Sequence, residues 1–253
     1  MNNGARMSLK TSSTPDIAET LPAAVQLQGV LLIFLSVIAG ALLAINLMPL
    51  WLPGLSFSAT GEAPKVFWFL SRGSAIAAYW ILWLAMSMGI VITNKMAQVW
   101  PGIPPAYEIH QYTSLLGMGF ALFHALILMG DQYIHYTLFQ VLAPFASENY
   151  RPLVVGIGQV AFYVWGVVNL SFYVRKRIGK KAWRWIHFAS YASFLGAMAH
   201  AILSGTDSGT LWAQVSYWFS GASLLFLTVY RVLIVRFPAE SKRPRRGDAE
   251  AAS

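Results

Sequence analysis

Long apolar runs alternate along the chain with short connectors rich in turn-forming residues. Six runs, roughly residues 26–50, 66–92, 110–130, 153–174, 184–204 and 211–236, reach the ~20 helical residues needed to cross a hydrocarbon core. Between them, stretches such as LPGLSFSATGEAPK (52–65), WPGIPPAYE (100–108) and SGTDSG (204–209) concentrate Pro and Gly, which break helices. The pattern predicts an all-α, polytopic bundle of six transmembrane helices over residues 26–236. A disordered segment is expected before it (1–25) and a disordered tail after it (237–253), both polar and low in hydrophobic residues. No connector is long enough for a second domain. The first run is longer than a signal-peptide core and lacks a small-x-small cleavage site, so it reads as a retained anchor.

Composition sharpens this picture. Of 253 residues, 57% are hydrophobic and 11% charged, against about a quarter charged in soluble domains. With no cysteine in the chain, disulfides, thiolate zinc sites, iron–sulfur clusters and covalent c-type haem attachment are all excluded. The net charge of +8 does not point to nucleic acid, because the basic residues bunch at the ends of the apolar runs. They report topology instead. Arg6, Lys10, Lys95, Arg175, Lys176, Arg177, Lys180, Lys181, Arg184, Arg231, Arg236, Lys242, Arg243, Arg245 and Arg246 all fall on one side of a six-span arrangement, and only Lys65, Arg72 and Arg151 on the other. A cell-membrane protein with both termini cytoplasmic is the expectation. Trp51, Trp100, Trp183, Trp185 and Trp212 lie near span ends, where amphipathic rings favour the interface. The RKRIGKK stretch (175–181) is explained by the same positive-inside anchoring, with docking of an acidic reductase or of anionic lipid as alternatives.

Four of the five histidines sit in two spans: His110 and His124 in the third, His187 and His200 in the fifth. A single intramembrane histidine often serves only as a hydrogen-bonding group between helices. Two pairs carry more information. Separations of fourteen and thirteen residues correspond to about 20 Å along a helix, so each pair spans most of the bilayer. The two helices run in the same direction, which puts His110 and His187 at the cytoplasmic level and His124 and His200 at the outer one. One zinc ion cannot use four ligands so far apart, and a two-histidine site lacks the third or fourth ligand that zinc takes. Two imidazoles from facing helices do suit the axial positions of a planar macrocycle, which reads as two stacked b-type haems. Gly117 and Gly119 between the first pair and Gly196 between the second would allow a porphyrin close backbone approach, although small residues are common in membrane helix interfaces anyway. One geometric problem follows from about 100° per residue: thirteen steps leave the second histidine about 140° off its partner's direction. A bulge or bend near Gly196, or laterally offset haems, is expected to resolve it.

The fourteen-spaced pair in EIHQYTSLLGMGFALFHAL and the thirteen-spaced pair in WIHFASYASFLGAMAHAI resemble the ferric reductase-like transmembrane domain, over roughly residues 66–236. That family includes ferric reductases, NADPH oxidases and the bacterial haem subunit that serves periplasmic methionine sulfoxide reductase. The resemblance implies a six-helix bundle with two b haems, His110 paired with His187 and His124 with His200, and electron transfer across the membrane. Arg72, in LSRGSAIA, matches an arginine that lies near the outer haem in the family. Its guanidinium suits a propionate or a reduced oxyanion, the alternative being snorkelling to the interface. Two departures stand out. NADPH oxidases carry a further histidine four residues after the outer ligand, where this chain has Leu128, which puts an oxygen-reducing pocket in doubt. Larger members continue into a flavin and nicotinamide domain, whereas the sequence ends about 17 residues after its last apolar run.

No flavin or nicotinamide site is found. The G-x-G-like VGIGQV (155–160) lies in an apolar helix without the strand-turn-helix context of a nucleotide site. No catalytic nucleophile or acid–base pair appears at a convincing spacing. Arg231 is expected to snorkel or to meet an inner propionate. Asp131, Glu148 and Asp207 form a mildly acidic outer rim, and His135 stands apart from the ligand spacing. The expected function is electron transfer from a separate cytoplasmic flavoprotein reductase or from quinol to an outer-side redox partner. The alternatives are a terminal reductase of ferric chelates or oxygen, and a haem-free transporter or scaffold in which the histidines form a proton path or packing bonds.

Overall fold

Six long helices dominate the computed structural model, which describes residues 22–56, 65–94, 96–131, 134–148 and 150–237. They are α1 (Leu27–Trp51), α2 (Val66–Thr93), α3 (Ile103–Ile127), α4 (Pro152–Ile178), α5 (Lys180–Ser204) and α6 (Leu211–Arg236). At 1.5 Å per residue, their 25 to 28 residues give about 38–42 Å, more than a hydrocarbon core requires. All six are long and apolar enough to cross a membrane. No strand occurs among the described residues.

Side chains are distributed as a lipid solvent demands. Leu31, Leu32, Leu35 and Leu43 of α1 and Leu225 and Phe226 of α6 face outward, while Ser71, Ser74, Ser87, Ser171, Ser193 and Ser220 are buried. Small hydroxylated residues let helices approach closely and bond across the interface. Thus Tyr79 on α2 shares a 2.5 Å hydrogen bond with Ser220 on α6, and the Trp83 indole donates to Ser223 at 2.9 Å.

Two close antiparallel hairpins, α2–α3 and α4–α5, form the centre; α1 lies on α3 and α6 on α2. The hairpins meet less intimately, and α3 and α5 are not among the close-packed helix pairs. At mid-depth the space between the hairpins is filled by Tyr79, Met86, Met118, Trp165 and Phe194.

Three expectations about boundaries change. Helix α3 begins at Ile103, seven residues before the predicted start, because Pro104 and Pro105 occupy its first turn, where a missing N–H costs nothing. The RKRIGKK stretch is helical except at Gly179, whose φ of +80° lets one residue turn α4 into α5. The end of the segment expected to be disordered is tied down: Ala24 N–H donates to Gln111 Oε1 at 3.0 Å, and the Tyr173 hydroxyl donates to the Val25 carbonyl at 2.8 Å. Residues 1–21 with Arg6 and Lys10, the connector stretch 57–64, Lys95, and the tail 238–253 with its four basic residues lie outside the described residues.

Candidate functional site

The four intramembrane histidines come together as two pairs between α3 and α5. His110 and His187 stand with ring centres 6.0 Å apart, and His124 and His200 at 6.3 Å. Their ring planes cross at 67° and 69°, so neither pair is stacked face to face. Among the described residues no three His, Cys, Asp or Glu side chains gather at one point, which leaves each level with two imidazoles.

Hydrogen bonds fix three of the rings. His110 Nδ1 lies 2.7 Å from the Ala85 carbonyl and His124 Nδ1 2.9 Å from the Ser71 carbonyl, both on α2. Ser71 and Ala85 are fourteen residues apart, as are His110 and His124, so the α2–α3 hairpin repeats one contact at both levels. His200 Nδ1 lies 2.9 Å from the Val154 carbonyl in the first turn of α4. A carbonyl only accepts, so in each case Nδ1 carries the proton and Nε2 keeps the lone pair. Metal-bound histidines are oriented in this way. His187 instead leans on Trp183, one turn earlier, at 5.4 Å between ring centres.

The residues fit a haem iron held by two axial imidazoles. Two metal–nitrogen bonds of about 2 Å, plus roughly 1 Å from each nitrogen to its ring centre, separate such rings by about 6 Å. The pairing across α3 and α5, the non-closest neighbours, suits a group lying between helices. At the level of the His110–His187 pair the buried indole N–H of Trp183 has no hydrogen-bond acceptor among the described residues. A haem carboxylate is an acceptor of the right kind.

The glycines are redistributed. Gly117 faces Trp165 and Ile81, where an added Cβ would come within 2.7 Å of the indole, and Gly119 faces Val37. Gly196 meets Ala161 of α4 at 2.9 Å, so it serves the α4–α5 contact. The glycines against the imidazoles are Gly89, where a Cβ would stand 3.1 Å from the His110 ring, and Gly158, where it would stand 2.7 Å from the His200 ring. Gly158 belongs to VGIGQV, a string set aside as a failed nucleotide motif. Its signal was legible only as a small residue opposite a histidine, which requires knowing that α4 and α5 pair.

No bulge occurs at Gly196, because α5 is uninterrupted from Lys180 to Ser204. The thirteen-residue spacing is met by using two flanks of the helix. His200 turns toward α4, against Gly158 and the Val154 carbonyl, while His187 rests on Trp183 of its own helix.

Arg72 lies beside Ser71 and so at the level of the His124–His200 pair. It forms an ion pair with Asp207 in the α5–α6 connector and stands 5.1 Å over the Trp68 ring. Asp207 thus takes the carboxylate role expected for another partner. With Asp131 buried and accepting from the Ile134 N–H at 3.0 Å, Glu148 is the exposed member of the expected acidic rim. His135 is exposed. Arg231 donates to the Thr93 carbonyl at 2.6 Å, capping the end of α2. The α3–α4 connector is knitted onto α4 and α5: Gln159 donates to the Gln140 and Val141 carbonyls at 2.7 and 2.8 Å, and Tyr150 to the Ser204 carbonyl at 2.6 Å. Burial raises the Tyr136 phenol above its ordinary pKa, an effect opposed by its 2.9 Å hydrogen bond with Ser147.

Residues 66–207 match a family described as a domain of unknown function, DUF8596. No curated protein and no solved structure matches the chain. The matched segment runs from the first residue of α2 to Asp207, and so contains both imidazole pairs, the carbonyls that hold them and the Arg72–Asp207 ion pair. The chain belongs to the DUF8596 family, and the stretch that defines its membership is the stretch that builds the site.

Proposed function

We propose that this protein is a transmembrane electron conduit of the ferric reductase-like kind, holding one b-type haem between His110 and His187 and another between His124 and His200. The observation that carries this reading is the repetition, at two depths, of an imidazole pair at about 6 Å, with Nδ1 of three of the four rings committed to a backbone carbonyl. When bound, such a haem supplies reversible one-electron chemistry at its iron. The chain's residues supply the rest. Ala85, Ser71 and Val154 hold ring orientation and tautomer, and the surrounding apolar helices exclude water. Trp183 offers a donor at the inner level, and Arg72–Asp207 braces the outer one.

Orientation follows from the basic residues. By their sequence positions, fifteen of eighteen fall on the side of the His110–His187 pair in a six-span arrangement, which supports reading that side as cytoplasmic. Electrons then enter at the inner pair, from a flavoprotein or quinol, and leave at the outer pair.

The test is a reduced-minus-oxidised spectrum with a haem-to-protein ratio on the full chain, expressed with adequate haem. Two b haems per chain are expected. His124→Ala or His200→Ala should leave one, and His110→Ala or His187→Ala the other. Absence of b-type absorbance in a folded protein would sink the reading, and loss of both haems from a folded single variant would overturn the layer assignment. Reduction by quinol, compared with reduction by a flavoprotein supplied with a nicotinamide donor, identifies the entry route.

A further inference from the structure

A groove on the outward face of α5 is lined by Lys180, Lys181, Arg184, Trp185 and Phe188. These positions recur at the spacing of a single helix face. The three cations come first and the two aromatic residues follow. Trp185 and Phe188 are 70% and 63% exposed, and they contact each other at 6.1 Å between ring centres. From Lys180 to Phe188 the stripe descends about 12 Å along the helix. That distance leads from headgroup level into the acyl region.

Charge placement adds a second constraint. Cations are disfavoured at a helix N-terminus, where the backbone dipole is already positive, yet α5 opens with Lys180 and Lys181 and has no acidic residue in its first turn. Arg175, Lys176 and Arg177 end α4 just across Gly179. From Asn149 to Thr206 the sequence holds no Asp or Glu. A phosphate carries the charge that both the cationic stripe and the helix terminus favour. An ordinary positive-inside cluster needs neither a groove nor two aromatic residues continuing the cationic stripe inward.

We infer that this face of α5 is a binding site for one anionic phospholipid, its phosphate held by Lys180, Lys181 and Arg184 and an acyl chain lying along Trp185 and Phe188. The site is independent of the haem reading, since its five lining side chains are exposed and neither His187 nor Trp183 is among them.

The experiment is native mass spectrometry of the full-length protein in micelles containing equal phosphatidylglycerol and phosphatidylcholine. Preferential retention of one phosphatidylglycerol is expected, and equal retention overturns the inference. Each cation removed should weaken the preference about fivefold, from roughly 1 kcal/mol per basic residue, so Lys181→Gln with Arg184→Gln should nearly abolish it. Arg236→Gln, at the end of α6, should leave it intact; an equal loss there would reduce the effect to general surface charge. Lys181→Gln alone serves if circular dichroism shows the double variant unfolded. Trp185→Ala with Phe188→Ala should lower retention, and no change would remove the acyl-chain placement. Displacement by millimolar glycerol phosphate would mark a soluble-phosphate site, and displacement by a polyglutamate peptide an acidic protein partner; either result overturns the lipid assignment.

Discussion

Ser71 and His124 are bonded in both directions. The imidazole Nδ1 lies 2.8 Å from the serine Oγ, and the same hydroxyl donates to the His124 carbonyl at 2.9 Å. The hydroxyl therefore accepts from Nδ1–H, adding to the Ser71 carbonyl as an acceptor for that proton. Acceptors on Nδ1–H increase the basicity of Nε2, and a more basic ligand favours oxidised iron.

Ser71→Ala removes one of these acceptors and keeps the other. The outer haem's midpoint potential should rise and its affinity should fall, by up to about tenfold, while the inner haem is unchanged. A spectroelectrochemical titration resolves the two. An unchanged outer potential, or a shift confined to the inner haem, would contradict the placement of Ser71.

Three glycines separate site from scaffold. Gly158→Ala puts a methyl 2.7 Å from the His200 ring and should selectively lower outer haem occupancy. Gly89→Ala, at 3.1 Å from His110, should perturb the inner haem more mildly. Gly117→Ala collides with Trp165, so it should destabilise the bundle by about 1–3 kcal/mol with no selective change in haem spectrum. Haem ratio and thermal unfolding, measured on the same samples, distinguish these outcomes.

Arg72 and Asp207 join the N-terminal end of α2 to the α5–α6 connector. The side chains are 33% and 19% exposed, so solvent screening limits the coupling to about 1 kcal/mol. A double-mutant cycle on unfolding stability with Arg72→Gln and Asp207→Asn should be non-additive by that amount. Additive effects would show that the pair is not an energetic unit.

The proposed direction of the bundle rests on the distribution of basic residues. On the proposed orientation, with the tail cytoplasmic and the α5–α6 connector external, a green fluorescent protein fused after Ser253 should fluoresce and alkaline phosphatase inserted after Gly209 should be active. The reverse pattern would exchange the entry and exit levels.

The spans were legible because membrane helices announce themselves through local composition, and their errors were local too. Pro104 and Pro105 read as breakers but start α3, and RKRIGKK read as a loop but breaks helix only at Gly179. The histidine levels were also legible, since rise per residue converts spacing into depth. The role of Gly196 was not: it was offered as the place for a bulge or bend in α5, and it packs against Ala161 within an uninterrupted helix. A glycine in sequence announces missing volume, but not which neighbour uses it.

By itself, then, the sequence determined six apolar helices, their order, and the grouping of four histidines into two depths, because each follows from periodicity and length within one segment. Only the tertiary structure decided that Ala85, Ser71 and Val154 hold the rings, that Gly89 and Gly158 make room for them, that Arg72 meets Asp207, and that two flanks of α5 reconcile a thirteen-residue step with a fourteen-residue one. These contacts join residues distant in the chain. They depend on the rotation and separation of whole helices, which side-chain packing across the bundle sets and no single segment encodes.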